Sequence, residues 1–146
     1  MDTRCVRHLL ATIGYRTAKV IKEVPEHYPA FEAGQGIRTP VEILHHMGDV
    51  LLIAYRDFYG GEREDTSILS WEQEVDRFFD ILESLDQAIT HGVEPKKRSW
   101  EQLLQGPLAD VLTHIGQLAT LRRLAGDPVS PESYLRAQIQ VGQIRY

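Results

Sequence analysis

A chain of 146 residues with 42% hydrophobic and 25% charged residues can bury one core, and it is too apolar for a disordered segment. Its net charge of −5 excludes a broad electrostatic attraction to nucleic acid, and no run approaches the roughly 18 apolar residues of a membrane-spanning helix. The lone cysteine, Cys5, cannot close an internal disulfide, and the opening MDTRCVRHLL lacks the apolar centre of a signal peptide, so a reducing cytoplasm is the expected compartment.

Apolar spacing predicts a first helix from about Thr3 to Val24, ended by Pro25. Pro29, Gly34 and Gly36 keep the following stretch irregular, and residues 25–38 are placed at the mouth of a pocket by position alone. The second helix has a capping signature: Thr39 at the cap, Pro40 in the first turn and Glu42 three residues after the cap. Its apolar residues wrap well over half the surface, so it should pack on several sides. Ser70 and Gln73 repeat the cap signal before a third helix with Trp71, Val75, Phe78, Phe79, Leu82 and Leu85 on one stripe. Glu72, Glu74, Asp76, Asp80 and Glu83 fall mostly off that stripe. A third cap-like start at Ser99 precedes Gly106-Pro107, which is expected to break that turn from a main segment, Leu108 to Leu124, closed by Gly126. Ser130-Pro131 opens a last short turn, and Gln138 to Tyr146 reads as extended. Residues 1–146 are thus expected to form a single all-α domain, a four-helix bundle with a short C-terminal turn and tail.

Chemistry concentrates on the last long helix. Asp110 and His114 are four apart and so lie on one helix face, with Gln117 close enough to hydrogen-bond the imidazole from behind. Mixed carboxylate and imidazole ligands suit Zn²⁺, Ni²⁺ or Fe²⁺. An ordinary surface ion pair has the same spacing. A third ligand can come from His45 or His46 on the second helix, which point about 100° apart. Both sides of that helix are largely apolar, so geometry only tilts the choice toward His46, and either imidazole can instead be a core-edge residue bonded to a neighbour.

The runs TPVEILHHM (39–47) and DVLTHIGQLATLRRLAG (110–126) resemble the DinB-like (DinB/YfiT-type) family of metal-binding four-helix bundles, and SYLRAQIQVG (133–142) is similar to C-terminal segments of some members. The resemblance implies that His46 is the helix-two ligand and His114 the second histidine of an H-x-x-x-H pair, followed by Gly116-Gln117. Asp110 stands where the family usually has the first histidine of that pair, which alters the ligand set or marks a lapsed site. The resemblance further implies a homodimer and a metal-dependent thiol transferase or isomerase that activates a small-molecule thiol. The alternative is a non-catalytic dimeric bundle in which a metal or polar cluster fixes helix packing. No nucleic-acid or membrane partner is expected.

The remaining candidates have plain readings. Cys5 is expected to be inert, His8 and His27 to sit on surface or loop, and His91 to meet the third helix's dipole. Arg122 and Arg123 suit the last helix's negative end, and Lys96 to Arg98 form a solvated turn. No nucleotide-binding or common hydrolase motif is present.

Overall fold

In a computed structural model describing residues 2–146, the chain is all-helical, with no strand among the described residues. The long helices are α1 (Thr3–Ile21), α2 (Pro40–Tyr59), α3 (Trp71–Thr90) and α5 (Ala109–Leu124). A single turn, α4 (Trp100–Leu103), runs through a π-helical segment (Leu104–Leu108) into α5, and a 3₁₀ turn covers Tyr134–Arg136. Among the described residues, no helix is long and apolar enough to cross a membrane.

The starts follow from local chemistry. Thr39, Ser70 and Ser99 each cap a helix and are answered by Glu42, Gln73 and Gln102 in reciprocal capping boxes. The ends of α3 and α5 are Schellman turns. Val93 N–H reaches Ala88 O and Asp127 N–H reaches Arg122 O, each at 3.0 Å, around Gly92 and Gly126 at positive φ.

Two ends differ from the sequence expectation. α1 stops at Ile21 rather than Val24, because Lys22 is extended and Glu23 takes φ +50°. Gly106-Pro107 does not break the last helix. The wider i→i+5 turn absorbs Pro107, whose missing N–H would leave a gap in a regular α-helical ladder, and the backbone stays helical from Leu103 to Ala109.

α2 packs between α3 and α5, and α1 packs against α3 and α5 from the other side, so the four long helices enclose one core. Leu10, Ile13, Leu44, Met47, Phe78 and Leu118 lie at its centre, all at most 1% exposed. Three buried groups tie the connections down. Tyr28, in the loop after α1, is fully buried and donates its hydroxyl to Leu118 O at 2.7 Å, which pins that loop to α5. Arg122 does more than face the α5 dipole: its guanidinium is buried and donates to Val20 O, Lys22 O, Asp127 O and the Asp127 carboxylate, joining the end of α1 to the end of α5. The turn at Lys96–Arg98 is likewise anchored, since buried Asp57 accepts from the N–H groups of Lys97 and Arg98.

The C-terminal tail forms no strand and instead staples the bundle: Ile144 is 4% exposed, and Arg145 pairs with Asp80 and Glu83 of α3. Gly14 is the contact point on α1, where a Cβ would collide with the Ile144 carbonyl oxygen. Gly14→Ala is therefore expected to lift the tail and cost about 1–3 kcal/mol. Limited proteolysis should then cut after Arg136 or Arg145 faster than in the parent chain, and unchanged cleavage would show that the tail is not held there.

Candidate metal centre

His46, in the second turn of α2, faces α5. Asp110 and His114, one turn apart on α5, face it. His46 Nε2 lies 3.6 Å and His114 Nε2 3.4 Å from the same oxygen, Asp110 Oδ2, and donor atoms of all three residues fall within 4.8 Å of one another. The two imidazoles meet edge to face, with ring centroids 4.8 Å apart.

These separations suit ion-pair neighbours and ligands to one ion alike. A charge-assisted N–H···O bond would be about 2.7–2.9 Å long, so the three groups are neighbours without being hydrogen-bonded to each other. Ligands roughly 2.1 Å from a tetrahedral ion stand about 3.4 Å apart, which is the spacing both imidazoles keep from the carboxylate. As ligands to an ion, one carboxylate and two imidazoles would contribute a net charge of −1, a chemically sound donor set for a borderline divalent ion. The group can hold a metal ion.

Each donor is prepared differently. His114 is buried, and its Nδ1 lies 2.7 Å from Gln117 Oε1. An amide oxygen only accepts, so Nδ1 donates to it and Nε2 is the nitrogen turned to the cluster. His46 is half-buried and makes no hydrogen bond among the described residues. Burial holds its pKa below the ordinary 6.5, helped by Arg38 and the neighbouring His114 ring and opposed by Asp110 and Asp49, so the imidazole is neutral near pH 7. Asp110 is the exposed member, with 46% of its side chain open to solvent.

His45 goes elsewhere. It is buried, its Nδ1 donates to Glu74 Oε1 at 2.6 Å, and its Nε2 lies 3.3 Å from Thr66 Oγ1. Glu74 is wholly buried, contrary to its place off the apolar stripe of α3, and also accepts from Leu69 N–H and Arg77. Arg77 continues the network to Asp49 and to the His45 carbonyl. It fits because Gly48 has no Cβ, which would run into the guanidinium. The structure thus brings His46, and not His45, to Asp110 and His114.

The other singled-out residues stay apart from the cluster. His8 is exposed, His27 meets Ala125 O at 3.1 Å, and His91 caps the end of α3. Trp71, Phe78 and Phe79 are core residues. Cys5 is exposed, and its thiol donates to Asp2 Oδ2 at 3.4 Å. That hydrogen bond and the repulsion from Asp2 raise the thiol pKa above the ordinary 9.0, which lowers the thiolate fraction at neutral pH. Asp2→Asn is expected to speed reaction of Cys5 with a disulfide reagent at pH 7.5. Equal rates in the two proteins would show that Asp2 does not restrain the thiol.

The cluster is open on two sides. A hollow of about 430 Å³ beside Asp110 is bordered by Ile53, Pro107 and Thr113. A groove of about 580 Å³ runs from His114 along α5, closed on its far side by Ile37, Arg38 and Ile43. The loop after α1 does reach a pocket mouth, as its position suggested, but Ile37 and Arg38 carried no individual signal in the sequence. No known protein-family model matches the chain, and no curated protein or solved structure matches it at a significant level.

Proposed function

We propose that this protein binds one divalent metal ion through His46, Asp110 and His114 and uses it for metal-dependent chemistry on a small molecule, of the thiol-transferase or isomerase type that the DinB-like resemblance implies. The observation that carries the reading is the convergence of three donor atoms within 4.8 Å of one another, with Asp110 Oδ2 within 3.6 Å of both imidazoles and His114 Nε2 turned to the cluster by Gln117. Once bound, such an ion supplies Lewis acidity that lowers the pKa of a thiol or water in its open positions.

The chain's own residues do the rest. His114 and Gln117 fix one side of the site, neutral His46 supplies the second nitrogen, and Asp110 contributes the negative charge. Three protein donors leave coordination positions free, and the openings beside Asp110 and His114 give a ligand access. A purely structural ion is normally enclosed by four protein ligands, so this access favours catalysis over a role in helix packing.

The test starts with protein purified without an affinity tag and loaded with Zn²⁺, Ni²⁺ or Co²⁺. One ion per chain, lost in His46→Ala and His114→Ala variants that keep parental helicity, is the expected result. A chain that takes up no metal overturns the reading. For the Co²⁺ form, 2-mercaptoethanol is expected to change the visible spectrum. No change with this thiol would count against thiol activation and favour a structural ion.

A further inference from the structure

Glycine is a poor choice inside a helix, because it gives up backbone freedom and contributes no side chain to packing. Gly14 and Gly48 have structural reasons: a Cβ would strike the tail at the first and Arg77 at the second. Gly116, in the middle of α5, has no such reason, since a Cβ there would meet nothing within 4 Å. It lies instead on the floor of the groove that begins at His114.

That groove has a definite chemical character. Along α5 it runs from Thr113 past Gly116 and Thr120 to Leu124, a rise of roughly 16 Å along the helix. Thr113 and Thr120 spend their hydroxyl protons on the carbonyls of Ala109 and Gly116, so the floor has no free hydroxyl donor. Its walls are aliphatic: Ile43 and Leu121 are buried, whereas Ile37 is 50% and Leu124 59% exposed at the lips. Its volume of about 580 Å³ is that of a small-molecule site. One cation, Arg38, stands on the wall. It acts through space on Glu42 and His46 but forms no ion pair among the described residues. In a chain of net charge −5, an unpaired arginine beside an apolar groove selects for an anion with an apolar body.

We infer that the groove binds a small organic carboxylate, its acid group paired with Arg38 near the metal centre and its hydrocarbon chain lying over Gly116 toward Leu121 and Leu124. The inference rests on the proposed metal site only for the position of the reacting end; the groove itself stands on Gly116, Arg38 and the aliphatic walls.

The experiment is an NMR titration of the ¹⁵N-labelled full chain with octanoate, with octan-1-ol and acetate as controls, in metal-free and Co²⁺-loaded protein. Octanoate is expected to shift the amides of Gly116, Gln117 and Thr120. Arg38→Gln should weaken octanoate at least tenfold while leaving octan-1-ol unchanged, and acetate should bind far more weakly than octanoate. Gly116→Leu fills the floor with a better helix former, so the variant should keep its fold and lose octanoate binding. Both variants should take up Co²⁺ as the parent does. Absence of octanoate shifts, equal binding in Gly116→Leu, or equal loss of octan-1-ol in Arg38→Gln overturns the inference. A dimer that Gly116→Leu dissociates, without octanoate shifts, also overturns it, by assigning the groove to a second copy. Octanoate binding to a chain that takes no metal keeps the groove and removes the metal reading; Co²⁺ binding without octanoate shifts does the reverse.

Discussion

His114→Ala is expected to stay metal-free at ion concentrations that saturate the parent chain, and Gln117→Leu to bind about 10–100-fold more weakly, as losses behind a ligating histidine usually do. The order follows from the geometry. The first change removes a donor; the second keeps it but releases Nδ1, so the imidazole can turn and expose the wrong nitrogen. Asp110→His should still bind, with a site one charge more positive, because imidazole can occupy the same coordination position. Competition titrations against a chromophoric chelator give all three affinities. Equal affinity in His114→Ala and the parent would remove the site from this helix face. The folded chain holds the His46 pKa below 6.5, so the unfolded chain binds the proton more readily. The stability linked to His46 is therefore complete above pH 6.5 and is lost as pH falls through its lowered folded value. His46→Ala should flatten that part of the metal-free protein's stability profile, measured by urea unfolding from pH 7.5 to 5.

The largest expected stability loss lies next to the site. Arg77→Met removes the cation from a wholly buried carboxylate, Glu74, leaving it only the His45 imidazole and the Leu69 N–H as partners. Breaking a buried pair from one side costs about 3–5 kcal/mol, and the lower end applies because Asp49 and part of Arg77 reach solvent. For a chain near this size, about 3 kcal/mol is roughly a 10 °C fall in Tm. The double variant Glu74→Leu/Arg77→Met removes both charges and should recover part of the loss, a non-additivity that thermal unfolding of the four proteins measures. Purely additive effects would mean that the two residues do not act as a pair.

How much was legible in the sequence depends on the range of the interaction that decides each feature. The starts of α2, α3 and α4 were readable because a cap and its answering residue sit three positions apart. The Asp110–His114–Gln117 face was readable for the same reason, being one helix's own periodicity. The choice between His45 and His46 was not, since both sides of α2 are apolar and the deciding partners, Glu74 and Arg77, come from another helix. Glu74 itself was misplaced because periodicity ranks positions by apolar neighbours, whereas its burial rests on three hydrogen-bond donors drawn from His45, Leu69 and Arg77. Pro107 looked like a break because proline excludes a regular α-turn; the rule holds, but a π-turn satisfies it without ending the helix. The tail of residues 137–146 had no local code, because its packing is set by the notch at Gly14 more than a hundred residues earlier.

The π-turn at Leu104–Leu108 also fixes phase. Such a turn amounts to one extra residue spliced into an α-helix, and each residue advances the screw by about 100°. Because about five residues close this turn where an α-helix uses about four, the extra residue is absorbed locally and the screw downstream keeps its phase, with the spacing within α5 unchanged. Were the same residues wound as regular α-helix, the aspartate, histidine and glutamine would still share one stripe, but that stripe would face away from His46 by roughly a quarter of a revolution. Whether the donors meet is thus governed by a turn upstream of all the α5 donors staying wide.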